Sequence, residues 1–372
     1  MIYLDYQASA PLAPEARAAM LPWLAEDGHA NPHSPHRAGR AAAAAVEAAR
    51  ARIVAADPAL SGGRLFFTSG ATEAVNWALI AGIATLLPGR RRIVTLATEH
   101  ACTLDTVAWL ERQGIETAVL PVGSDGLVDP EVAAAAIDDR TGIVAVMLVN
   151  NEIGTIQPIA DIAVRARAAG ALFLCDAVQG YGRVPLPPAD LIALSAHKIH
   201  GPKGVGALFV RDGLTLPPLL HGGGQEGGTR SGTLSPMLCA GFGAAASVAA
   251  DRRDGDAAHV VALARRLRAA LPDWTVNGST AHRYPGNLSL RRNGIDAGRL
   301  ISGLRDIAFS AGSACASGSG RPSHVLRAIG LDDAAARTTI RLGFGRYTTE
   351  EDIDIAADQI TRAAIAQQAF AA

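Results

Sequence analysis

The sequence predicts an α/β protein: a large domain with a mostly parallel seven-stranded sheet between helices, plus a smaller α+β domain. Three observations carry this expectation. Strand and helix signals alternate from about residue 37 to about residue 250, the rhythm of βαβ units. Short apolar runs such as IVAVMLV suit strands buried on both faces. Beyond about residue 250 the pattern breaks into short strand-like pieces among helices.

In chain order, residues 38–56 form an alanine-rich helix that ends before Pro58. Residues 64–68 (RLFFT) read as a strand, and 71–87 as a helix stopped by Pro88-Gly89. Six more strands follow at 92–97, 116–120, 142–149, 172–175, 191–194 and 207–210, with helical stretches between most of them. A charged helix at 252–270 leads to strand pieces at 274–276 and 287–290. An alternating strand at 339–344 and a final helix close the chain. There is no internal repeat, and the one low-complexity stretch is SAGSACASGSG.

A chain of 372 residues is long enough for two domains. Its net charge of −1 gives no reason to expect nucleic acid or an anionic membrane surface as partner. No two of the four cysteines form a CxxC pair, so neither a disulfide framework nor a metal site is expected. The start MIYLDYQASAP lacks the basic and apolar regions of a signal peptide, and no apolar stretch is long enough to cross a bilayer. The reducing cytoplasm is the expected compartment.

Chemistry concentrates after strand ends. In LSAHKIHGPKGVG, Lys198 follows the apolar run 191–194, with glycines that let the backbone pass close to a bulky group. A lysine so placed sheds water and can hold a carbonyl compound as a Schiff base; pyridoxal phosphate is the commonest such carbonyl. In FTSGATEA a strand gives way through small residues to a helix, whose free N–H groups suit a phosphate, although an ordinary capped helix reads the same way. Asp176 ends another strand, where a carboxylate can pair with a protonated pyridine nitrogen or simply cap a helix. His100, after a third strand, can stack on an aromatic cofactor and move protons. Asn151 sits at a fourth strand end. In a parallel sheet such ends share one edge, and this convergence is the strongest physical argument for a site.

Two further residues lie beyond the sheet. Cys315 is flanked only by small residues, which suits a nucleophile carried on a tether. Arg341, in TIRLGFGR, is a candidate carboxylate binder.

Together these motifs resemble the cysteine desulfurases of the NifS/IscS type, in the class V branch of the fold-type I, pyridoxal-phosphate-dependent aminotransferases. The similarity runs through YLDYQASAP, NPHSPHRAG, FTSGATEA, TEHACTLDT, VNNEIGTIQPI, DAVQ, SAHKIHGPKGVGAL, HGGGQEGGTRSGTL, SAGSACASGSGRPSHVLRAIGL and TIRLGFGRYTTEED. It implies a large cofactor-binding domain over 12–252. Residues 1–11 and 253–372 would form a small domain carrying the cysteine loop at about 310–322. It implies Lys198 as the Schiff-base lysine, which also moves the substrate α-proton. Asp176 would pair with the pyridine nitrogen, Gln179 would lie near the phenolic oxygen, and His100 would stack and act as acid or base. Ala71, Thr72, Ser195 and His197 would hold the phosphate, joined by Thr233 from the other subunit of a homodimer. Asn151, also near the cofactor, and Arg341 would bind the substrate carboxylate.

The implied reaction converts L-cysteine to L-alanine, with a persulfide formed on Cys315 and passed to a sulfur-acceptor protein of iron–sulfur assembly or tRNA thiolation. The long loop resembles group I members. Housekeeping members often carry a longer C-terminal tail that docks the scaffold protein, and docking by such a tail is not expected here. A selenocysteine lyase, or another class V lyase or transaminase, is the alternative. A degenerate binding protein would have lost Lys198, Asp176 or Cys315, and a nicotinamide enzyme would show GxGxxG after the first strand.

Overall fold

The computed structural model describes residues 1–25, 28–85, 89–311 and 323–371. Strands are numbered in chain order, beginning with β1 (Ile2–Tyr3). The main sheet contains β2 (Gly63–Thr68), β3 (Arg92–Leu96), β4 (Glu116–Leu120), β5 (Thr141–Met147), β6 (Leu172–Asp176), β7 (Leu191–Ser195) and β8 (Gly206–Arg211). Its order is β2-β8-β7-β6-β5-β3-β4. Only β8 runs against its neighbours β2 and β7; the other pairings are parallel. All seven strands predicted from the apolar runs are present, within two residues of their expected ends.

β5 and β7 are buried along their whole length, as strands covered on both faces must be. β4 forms one edge and is half open to solvent. On one face, the helix Ala71–Thr85 buries Trp77 against Phe66, with ring centroids 5.5 Å apart.

The second region contains β9 (Thr275–Val276), β10 (Asn287–Arg291), β11 (Ile307–Ala308) and β12 (Thr339–Gly343). β12, β10 and β9 form an antiparallel sheet, while β1 pairs in parallel with β11. The two-residue pair β1–β11 leaves no periodic signal in the sequence. The closing helix Glu350–Ala371 is tied to Arg253–Ala270 by Arg266, which pairs with Glu350 and Asp354.

β12, the strand expected from the alternation at 339–344, is buried along its whole length. Ile340 and Leu342 enter the apolar core, and the polar positions Thr339 and Arg341 are buried as well. The polar face is turned toward protein partners rather than bulk water.

The N-terminal segment joins the two regions. Asp5 bridges to Gly343, the Gln7 side chain donates to the Gly286 carbonyl at 2.9 Å, and the Ala10 N–H donates to the His197 carbonyl at 2.9 Å.

Candidate active site

β2, β3, β5, β6 and β7 all end at one edge of the sheet, where open α/β sheets bind ligands. At or beyond those ends lie Ser69, His100, Asn151, Asp176 and Lys198, lining a single cavity of about 850 Å³. Arg341 of β12 and the N-terminal residues Gln7 and Ala8 line it as well. Four polar residues predicted to converge along the sheet edge therefore do so, and Arg341 joins them from the other sheet.

Lys198 ends a short 3-10 turn that follows β7 directly. Its amine donates to the Gln7 carbonyl at 2.5 Å and the Ala8 carbonyl at 2.9 Å. Burial, reinforced by the Arg183 and Arg341 guanidiniums, lowers its pKa to about 7. A large share of the amine is therefore neutral and nucleophilic at neutral pH. Arg183 braces the turn by donating to the Lys198 carbonyl at 2.5 Å, and it donates to the Gln179 side chain at 2.7 Å.

Asp176 closes β6, where its Oδ1 accepts the Val178 N–H at 3.0 Å. Burial raises its pKa, while His100 and Lys198 pull it back down. His100 caps the helix Ala101–Arg112, its Nδ1 accepting the Cys102 N–H at 3.1 Å. Burial lowers the His100 pKa, so the ring is neutral at neutral pH and carries its proton on Nε2. His197 is also neutral, lowered to about 4 by burial and by Lys198, with Nδ1 3.3 Å from the Ser9 hydroxyl.

The start of the helix Ala71–Thr85 offers an anion cradle. Glu73 accepts the Ser69 N–H at 2.8 Å and is itself gripped by Arg230 at 2.8 and 3.0 Å. The first-turn N–H groups of Ala71 and Thr72 have no partner within the helix, and both residues line the cavity. Gly206 makes room for this turn. A Cβ there would lie 2.7 Å from the Gly70 backbone, whereas one at Gly70 would meet nothing within 4 Å.

Arg341 is 1 % exposed. Its Nη1 donates to the Asn151 carbonyl at 3.0 Å and its Nη2 to Asp5 Oδ1 at 2.7 Å. Two buried acids stand nearby. Glu99 accepts the Met147 N–H at 2.8 Å, and burial holds its pKa well above the usual range. Glu152 accepts the Ser323 hydroxyl, and burial raises it too. His324 also lines the cavity, its Nε2 2.8 Å from the Glu99 carbonyl oxygen.

Ala71, Thr72, Gln179, Ser195 and His197 line the cavity with the residues above. Thr233 does not; it is exposed on the loop braced by Arg230 and by Glu226, which accepts the Phe67 N–H. Cys315 lies outside the described residues. Residue-by-residue reading gave no role to Asp5, Gln7, Ala8, Glu152, His324 or Lys203. For Lys203 a signal exists: it and Lys198 are the only lysines in the sequence, and both line this cavity.

The donor set suits pyridoxal phosphate. A buried low-pKa amine can take an aldehyde, a buried carboxyl can meet a ring nitrogen, and a helix start can take a phosphate, all in one cavity. Among the described residues no group of side chains could hold a metal ion, and no helix is long and apolar enough to cross a membrane.

Comparison with known proteins points the same way. The family model "Aminotransferase class-V" matches residues 2–355. Cysteine desulfurase IscS of Rickettsia bellii is 43% identical over 370 residues, covering 95% of this chain and 89% of that one. The solved structure of a NifS-like protein superimposes with a TM-score of 0.89 at 32% identity, covering 97% of this chain and 98% of the other. SspA in complex with cysteine gives 0.81 at 32% identity, covering 94% and 100%.

Proposed function

Because the chain belongs to the class-V aminotransferase family and is a pyridoxal-phosphate-dependent cysteine desulfurase, we propose the following roles for its residues. When bound, the cofactor supplies an electron sink for the carbanion left at the substrate α-carbon. Lys198 would hold the cofactor through its buried amine, and an amine with a pKa of about 7 suits removal of the proton from the substrate α-carbon. Asp176 would hold the ring through its nitrogen and favour its protonated form, and Gln179 would hold it through its phenolic oxygen. His100 would help hold the cofactor ring, and its Nε2–H can donate or recover a proton. The Ala71 and Thr72 N–H groups, with Ser195 and His197, hold the phosphate. Arg341 and Asn151 orient the carboxylate of L-cysteine. Cys315 attacks the substrate sulfur as a thiolate, so that L-alanine leaves and a persulfide remains on Cys315.

The observation that carries this reading is the buried Lys198 amine in one cavity with Asp176, His100 and Arg341. The relatives named cysteine desulfurase do not favour the selenocysteine or transaminase alternative.

The wider assembly belongs to the same proposal. Residues 12–252 form the cofactor domain; 1–11 and 253–372 form the domain bearing the cysteine. Two chains share their sites, a reading supported by an exposed Thr233 that is absent from its own chain's cavity. The persulfide passes to a sulfur-acceptor protein of iron–sulfur assembly or tRNA thiolation in the cytoplasm; the IscS name of the relatives supports the iron–sulfur branch.

The test uses L-cysteine with a reducing thiol and quantifies alanine and sulfide. Equal amounts from the wild type, and neither from Cys315→Ala, support the roles above. Equal turnover by a cofactor-loaded Cys315→Ala protein overturns the role of Cys315.

A further inference from the structure

Arg341 is buried, yet it is already engaged by a carboxylate from its own chain. Asp5 reaches it with Oδ1 2.7 Å from Nη2, while the Asn151 carbonyl takes Nη1. The Arg341 Nε is buried and has no hydrogen-bond partner among the described residues. A guanidinium offers a carboxylate two bidentate edges, Nη1–Nη2 and Nε–Nη2, and both include the nitrogen that Asp5 holds. Two carboxylates on one buried guanidinium would leave a negative charge uncompensated. The Asp5 side chain is 20% exposed against 1% for Arg341, so Asp5 is the partner with access to water.

We propose that Asp5 is a built-in occupant of the substrate-carboxylate position, which holds Arg341 until the carboxylate of L-cysteine displaces it. This rests on reading Arg341 as the carboxylate binder. Asp5 keeps the buried cation paired between turnovers and sets the affinity that an incoming carboxylate must exceed. It is a specificity-determining residue: a thiol amine without a carboxylate has nothing to exchange for Asp5 and leaves the pair intact.

The test uses the cofactor-loaded enzyme and its Asp5→Asn, Asp5→Glu and Arg341→Ala variants. L-Alanine, which has no sulfur to transfer, is the carboxylate probe and cysteamine the carboxylate-free control, both titrated calorimetrically, with thermal unfolding to verify the fold. Asp5→Asn is expected to tighten L-alanine about tenfold and to lower the KM for L-cysteine by a similar factor. Asp5→Glu keeps near wild-type affinity, and cysteamine binds all Asp5 variants alike. Asp5→Ser, also neutral, gives the same readings should Asp5→Asn not fold. Weaker or unchanged L-alanine binding by a folded neutral variant overturns the proposal, since Asp5 would then position Arg341 or stand apart from the substrate. Unchanged L-alanine binding by Arg341→Ala overturns instead the assignment of Arg341 on which it rests.

Discussion

The Lys198 amine donates to the carbonyl of Ala8, 190 residues away in the chain, at 2.9 Å. The N-terminal segment therefore supplies part of the site that the sheet presents. Its carbonyls hold the amine in place, but they do not offset the cost of burying a charge, and the Lys198 pKa falls to about 7.

That shift has a direct chemical readout. In the cofactor-free protein, competitive acetylation followed by peptide mapping should show Lys198 reactivity rising through about pH 7, as its proton leaves. Lys203, exposed in the same cavity and the only other lysine, provides an internal reference. Lys198 reactivity that rises only near the ordinary lysine value of about 10.4 would refute the desolvated amine.

Glu73 and Arg230 are each 13% exposed in their side chains, and their pair ties the glycine-rich loop to the anion cradle. Glu73 also takes the Ser69 N–H. Glu73→Ala should cost about 1–3 kcal/mol in stability, because it leaves a mostly buried guanidinium without its carboxylate. It should also speed cofactor loss on dialysis several-fold, since the turn before Ala71 loses its brace. Cofactor retention equal to the wild type would show that the cradle is rigid without Glu73.

The main sheet was legible because its strands are short apolar runs separated by helices, a pattern that local sequence carries. The edge bearing His100, Asn151, Asp176 and Lys198 was legible for a topological reason: parallel strands place their ends together. Asp5, Gln7 and Ala8 were not legible as site residues. Their positions depend on the two-residue pairing of β1 with β11 and on the bridge from Asp5 to Gly343, which no periodicity announces. His324 meets the site only through tertiary packing, which places its Nε2 2.8 Å from the Glu99 carbonyl oxygen.

The N-terminal crossing depends on a missing side chain. A Cβ at Gly343 would lie 1.6 Å from Gln7 Oε1 and 3.1 Å from the Tyr6 amide nitrogen. Gly343→Ala should therefore push Gln7 off the Gly286 carbonyl and lower stability by about 1–3 kcal/mol, read from urea midpoints. The same displacement should loosen the carbonyls over Lys198. An unchanged urea midpoint would mean that the segment is not packed against β12 in solution.

The cysteines give the sharpest chemical contrast. Alkylation follows the thiolate, and burial suppresses the thiolate at each described cysteine. Burial pushes Cys239 up to about 12 and holds Cys175 well above the usual range. Cys102 lines the cavity, yet burial, with the carboxyls of Asp176 and Glu99 nearby, raises it strongly too. Cys315 alone is flanked in the sequence only by small residues. Brief iodoacetamide treatment of the folded protein at pH 8, followed by peptide mapping, should therefore label Cys315 and leave the other three intact. Cys315→Ala should remove nearly all rapid labelling. Rapid modification of Cys102 in the wild type would mean that the cavity wall is far better solvated than its burial implies. The desolvation that lowers the Lys198 pKa in the same cavity would then be weaker, and that pKa would lie nearer the ordinary lysine value.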